Sequence, residues 1–168
     1  PSRRIGANAC SGGTATVTKP DYIEVVESGT PGQAVWNFQV EDTKMYNMPA
    51  IGPDGVVYAT GSERSVGYLF AINPDGTQKW KFKTLNVASN DPVVGKSGTI
   101  YVINSLENIF AINPDGTQKW QYAASIGGDG SFSKRFAVGL DETLYLGTTT
   151  GQFIAVDSLG NELWSLQF

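Results

Sequence analysis

The side chains that could do chemistry in this 168-residue chain are few, and most of them are carboxylates. Asp141 and Glu142 stand side by side, Asp129 sits in the glycine-rich run 127–131, and Asp75 and Asp115 occupy identical Asn-Pro-Asp-Gly segments. A carboxylate pair can share acid and base duties when both groups face one reacting atom. Neighbours on a strand point to opposite faces, so Asp141 and Glu142 make a poor couple. The 127–131 loop is open enough to approach a metal or a sugar, or to be a loose loop and nothing more. Asp75 and Asp115 have the look of calcium ligands only if their turn context is ignored.

What is missing excludes more. The chain has no histidine, which removes Ser-His-Asp triads, Cys-His pairs and histidine metal sites within one chain. Its single cysteine, Cys10, allows no internal disulfide and no CxxC motif. Twelve basic against sixteen acidic residues offer no footprint for nucleic acid or an anionic membrane. No apolar run approaches the ~20 residues that a membrane-spanning helix needs. No catalytic residue, cofactor or metal is expected, and the chain reads as a non-enzyme.

The dominant signal is repetition. The segment Phe70-Ala-Ile-Asn-Pro-Asp-Gly-Thr-Gln-Lys-Trp80 recurs unchanged at 110–120 and in diverged form at 154–164, ending on Trp164. Trp36 closes a partial fourth copy, so the tryptophans are spaced by 44, 40 and 44 residues. A period near 40 made only of strand signals indicates propeller blades. Each full repeat reads as four strands: 49–51, 56–60, 68–72 and 78–83; then 92–94, 99–103, 109–112 and 118–122; then 136–138, 143–147, 153–156 and 162–166. Segments 14–18, 22–27 and 34–40 supply part of another. The division expected is a flexible tail at 1–13, a partial blade at 14–40, and blades at 47–84, 90–124 and 134–168.

Turn chemistry accounts for the recurring residues. Proline pre-sets the turn, and glycine accepts the positive φ that closes it. Glu142 replaces the glycine expected in the first hairpin of the third repeat, so that turn must differ or carry strain. Trp36, Trp80, Trp120 and Trp164 are expected to be structural. Each would wedge a seam between blades, with its indole N–H bonded to a nearby backbone carbonyl.

These residues resemble the PQQ-like (BamB-like) β-propeller repeat: Pro49, Gly55 and Tyr58, then Phe70-Ala71-Ile72-Asn73, Gly76 and Trp80-Lys81-Phe82. The second repeat keeps Pro92, Gly98, Tyr101, Ala111, Asn113, Gly116 and Trp120, and the third has Phe136 where proline is expected. The resemblance covers about residue 33 onward. The repeats counted in this sequence make an all-β propeller of about four four-stranded blades, where seven or eight are usual for the family, and the resemblance implies a periplasmic or extracellular bacterial setting. Relatives are of two kinds, quinone- and calcium-dependent dehydrogenases and cofactor-free scaffolds. The absence of an adjacent cysteine pair and the shorter alanine-to-tryptophan segment favour the second. Carbohydrate binding is a further alternative, which would want the same aromatic in the same loop of every blade. Cys10 reads either as an inert thiol in a loose tail or as a lipoprotein anchor lacking an apolar stretch before it.

Function is expected on the inter-blade loop face: 41–48, 62–67, 85–90, 125–134 and 148–152. Met45, Tyr46, Met48 and Phe132 are its apolar residues, with Arg64, Asn90, Asp129 and Arg135 as polar companions. Together they suit a protein or peptide partner, or else simply cap the blade tops. A chain of this length exposes terminal blades. That fits a fragment of a longer protein, a four-bladed toroid, or two half-rings pairing into an eight-bladed homodimer, the last slightly preferred.

Overall fold

The computed structural model describes residues 24–25, 34–40, 42–45, 47–86, 90–123 and 132–168. The expected tail at 1–13 with Cys10, the strand at 14–18, Tyr46 and Asp129 lie outside these residues. Among the described residues fifteen strands follow in chain order: β1 (Glu24–Val25), β2 (Trp36–Asn37), β3 (Thr43–Met45), β4 (Ala50–Ile51), β5 (Val57–Glu63), β6 (Val66–Ile72), β7 (Gln78–Lys83), β8 (Val93–Val94), β9 (Ile100–Ile103), β10 (Asn108–Ile112), β11 (Gln118–Ala123), β12 (Phe132–Val138), β13 (Leu144–Thr148), β14 (Gln152–Val156) and β15 (Glu162–Gln167).

All pairings are antiparallel between strands close in the chain, giving propeller blades β8-β9-β10-β11 and β12-β13-β14-β15. In the first blade the inner strand is broken in two, with β3 and β4 both pairing β5, followed by β6 and β7. A two-stranded piece, β1-β2, precedes it. The inner strand β8 touches both β4 and β12, so the three blades converge along their first strands.

Strands β5 and β6 are longer than the sequence suggests. They run to Glu63 and from Val66, leaving only Arg64 and Ser65 as a turn, at φ 47° and 70°. The expected 62–67 loop is therefore mostly sheet. Thr43–Met45 likewise forms a strand inside the expected 41–48 loop, and β12 begins at Phe132 within the expected 125–134 loop.

Burial follows position in the stack. Every residue of β9 is buried, because the middle blade is covered on both faces. In β13 the pattern alternates over Leu144–Leu146, with Leu144 and Leu146 buried and Tyr145 between them only partly covered. The first seam joins Tyr58, Leu69 and Ala71 to Ile100, Val102, Phe110 and Ile112. The second joins Tyr101, Ile103, Ile109 and Ala111 to Leu144, Leu146, Ile154 and Val156. Each fully buried valine, leucine, isoleucine or phenylalanine among them contributes ~1.5–3 kcal/mol, so the seams hold the stack together.

One row of residues recurs across each blade. Register aligns Tyr58 with Ala71 and Ala71 with Trp80; Tyr101, Ala111 and Trp120 match it, as do Tyr145, Ala155 and Trp164. The tyrosine and tryptophan rings approach to 5.7, 5.8 and 6.2 Å in the three blades. Alanine in the middle leaves room for the indole to reach the tyrosine. The same bulge precedes each tryptophan, at Ala71/Ile72, Ala111/Ile112 and Ala155/Val156.

Candidate functional site

Each tryptophan reads the blade that follows. The Trp80 indole N–H donates to the Pro114 carbonyl at 3.0 Å, and that of Trp120 to the Ser158 carbonyl at 2.9 Å. The glycine two residues beyond each acceptor lies under the ring: a Cβ on Gly116 would stand 2.8 Å from Trp80 Cδ2, and one on Gly160 3.0 Å from Trp120 Cδ2. Both glycines have φ near 90°, at 89° and 88°, so backbone and packing demand the same residue. Asp75 Oδ1 accepts from the Thr77 N–H at 2.9 Å and its hydroxyl at 2.7 Å, and Asp115 does the same with Thr117. Those hydrogen bonds, the hydroxyl's first, lower both aspartate pKa values. Among the described residues no group of three or more acidic or cysteine side chains could hold a metal ion.

Glu142 takes the glycine's own conformation, at φ 66° against 78° for Gly55 and 84° for Gly98. Its turn is therefore of the same kind, and it carries strain of order 1 kcal/mol or more. Its carboxylate crosses to the second blade, accepting from the Ser97 N–H at 2.8 Å and the Tyr101 hydroxyl at 2.7 Å. Burial penalises the charge, but the bonds from Ser97 and Tyr101 outweigh it and lower the Glu142 pKa. Burial, then the carboxylate bond, raises that of Tyr101. Asp141 points elsewhere and caps the Thr143 N–H at 3.2 Å. The two carboxylates do not converge.

The residues free to meet a ligand lie along the inner edge and at the loop end. Met45 on β3, Met48 before β4 and Ile51 on β4 are 42%, 65% and 69% exposed. Among the described residues β3 pairs with β5 only, and an open cleft of about 460 Å³ lies beside it, lined by Phe38, Val40, Lys44 and Met45 among others. A hydrogen-bonded frame fixes this region. The Met48 N–H donates to Asp91 Oδ1 at 2.8 Å, and Asn104 Nδ2 to the Thr84 carbonyl at 3.0 Å. Leu85 and Leu106 are exposed on either side of that second bond, and the sequence reading did not single them out. Their signal was a lone leucine in each of two polar segments, Thr84-Leu85-Asn86 and Ser105-Leu106-Glu107.

Of the residues expected on the loop face, Met45, Met48 and Arg64 are exposed, with Arg64 Nε 3.8 Å from Asp42. Asn90 and Phe132 require correction. Asn90 is buried, with Oδ1 accepting from the Ile103 N–H at 2.7 Å and Nδ2 donating to the Asp91 carbonyl. Phe132 fills the second seam, and its N–H donates to Glu107 at 2.7 Å. Both close the inner ends of seams, where a polar loop cannot leave backbone groups or apolar surface unmatched. Arg135 lies on β12, and only its strand position is described. The turns joining second and third strands centre on Arg64-Ser65, Ser105-Leu106 and Thr149-Thr150, with no aromatic in any of them.

The family model described as outer membrane protein assembly factor BamB matches residues 22–168. The chain belongs to this BamB family of PQQ-like repeats. Among solved structures it is similar to BamB from Moraxella catarrhalis, at 22% identity and a TM-score of 0.60, covering 77% of this chain and 38% of that one. It is also similar to a protein of unknown function from Bacteroides caccae, at 12% identity and a TM-score of 0.53, covering 79% of this chain and 49% of that one. The chain thus spans less than half the length of either of these two structures. No curated protein matches it.

Proposed function

We propose that this chain is a non-catalytic propeller scaffold that holds an extended segment of a protein or peptide along its inner edge and loop end. The observation that carries this reading is the set of exposed apolar side chains, Met45, Met48 and Ile51, on a frame fixed by hydrogen bonds. Such a frame spares a partner the entropic cost of ordering the site. An extended segment would lie along this inner edge and lay alternate side chains against the methionines. Methionine suits this because its unbranched thioether adapts to varied surfaces.

The adjacent carboxylates Asp141 and Glu142 are engaged in their turn and in the second seam, which supports a binding role. The family's description as an outer membrane protein assembly factor supports a protein as the partner and an extracytoplasmic setting. Selection of a random peptide library on the immobilised chain tests the proposal. Apolar extended peptides should be enriched, and Met48→Asp should abolish the enrichment while leaving the melting curve unchanged. Enrichment that is absent, or indifferent to Met48→Asp, would sink it.

A further inference from the structure

We propose that Met48 is a site of reversible oxidation, and that its sulfoxide releases the peptide held along the inner edge. The inference rests on the binding role proposed above and adds its regulation. The chain has two methionines, and both stand on the surface proposed to bind. The buried apolar side chains of the two seams are aliphatic or aromatic, with no sulfur among the described residues. Oxidation of methionine can therefore change the binding surface without loosening the core. Met48 also lies where two described blades meet, its N–H donating to Asp91 just before β8 at 2.8 Å.

The oxidant is a hydroperoxide. A lone pair on the Met48 sulfur attacks the outer peroxide oxygen, so the S–O bond forms as the O–O bond breaks. The proton on the transferred oxygen passes to the leaving oxygen, which departs as an alcohol, or as water from hydrogen peroxide. Sulfur loses two electrons and the peroxide gains them. The sulfoxide is polar and needs hydrogen-bond donors, unlike the thioether it replaces. An apolar side chain lying against it would strip its oxygen of water and offer nothing in return. A dithiol, acting through a methionine sulfoxide reductase, restores the thioether and yields water and a disulfide.

The two sulfurs are not equivalent. Met45 stands opposite Gly61 in the β3–β5 ladder, and its Sδ lies over that glycine, where a Cβ would be 2.8 Å away. The sheet thus closes one side of the Met45 sulfur, and Met48 is the more exposed of the two. Met48 reacts first. Its backbone, held by Asp91, has no need to move when the side chain gains an oxygen.

The test treats the full chain with dilute hydrogen peroxide. Tandem mass spectrometry of its fragments follows each methionine, alongside binding of a peptide selected on the untreated chain. Met48 should gain its oxygen before Met45, and binding should weaken by about tenfold or more in step with it. The melting curve should not move. Methionine sulfoxide reductase with dithiothreitol should restore the affinity. Each variant is compared with its own untreated value: Met48→Leu should be insensitive to peroxide, and Met45→Leu should stay sensitive. Failure to select any peptide overturns the binding role and this inference with it. A selected peptide held equally well by the Met48 sulfoxide overturns the switch alone. So does a loss that follows Met45, persists in Met48→Leu, resists the reductase or comes with a lowered melting temperature.

Discussion

The two covered seams and the open face of the third blade contain the same row of residues in nearly the same arrangement. Tyr58 and Trp80, Tyr101 and Trp120, and Tyr145 and Trp164 keep similar ring separations and tilts, whether or not a neighbour lies above them. What changes is the environment. Trp80 and Trp120 are half-buried and bonded to the next blade, whereas Trp164 is 40% exposed. The geometry of the row is thus a property of one blade, set by its bulge, its alanine and its tyrosine. Burial and hydrogen bonding are added by the neighbour. Each repeat prepares a surface on its own, and the next repeat completes it.

The largest test of this contrast is a pair of truncations. Trp80→Ala should cost about 3–5 kcal/mol in denaturant melts, as large-to-small core changes do. Trp164→Ala should cost less than about half of that. Equal losses would mean that the tryptophan stabilises its own blade and the seam hardly at all.

Next comes the glycine beneath the ring. Gly116→Ala meets both a left-handed φ and the Trp80 indole, and should cost about 2–3 kcal/mol. Gly151→Ala meets the φ penalty with the nearest atom at 3.2 Å, a carbonyl oxygen, and should cost about 1 kcal/mol. A reversed order would show that seam packing does not tighten at the turn.

Glu142→Gln should cost about 1.5–3 kcal/mol near neutral pH, the usual scale for hydrogen bonds to a charged group. The Glu142 pKa is lowered by folding, so the native state favours the ionised form. The contribution is fully present above the unfolded value of about 4.5 and is lost as pH falls through the depressed folded value. Wild type should therefore lose stability on acidification more steeply than Glu142→Gln. Parallel acid limbs in melts across pH would remove Glu142 from the second seam's energetics. The smallest effect is expected at Arg64→Ala, within about 0.5 kcal/mol, because its contact with Asp42 is exposed.

Strand order and turn positions were legible because they rest on local rules: β-branched runs, Asn-Pro-Asp-Gly turns, and a tryptophan at one position. The seams were legible for the same reason, since Phe70 to Trp80 and Phe110 to Trp120 are identical. The ends of β5 and β6 were missed because Gly61, Ser62, Arg64 and Ser65 read as a polar loop. Pairing with β3 and with each other holds the strands together up to the turn. Asn90 and Phe132 were misplaced because their burial depends on contacts with Ile103 and Glu107 that no local pattern announces. For Glu142 the strain was legible and its remedy was not, since Ser97 and Tyr101 lie more than 40 residues away in sequence. The candidate site was legible only in part. Exposure of Met45 and Met48 depends on a break in the inner strand, and that break has no sequence marker of its own.

The seam, in which each tryptophan reads the blade that follows, has a consequence for how such a protein can grow. Inserting one more copy of the repeat between existing blades opens one seam and makes two of the same kind, each complete in its atoms. No compensating change is required elsewhere in the sequence. Copy number can therefore drift by tandem duplication or deletion in the coding DNA, and the two identical eleven-residue segments at 70–80 and 110–120 supply the homology for such an event.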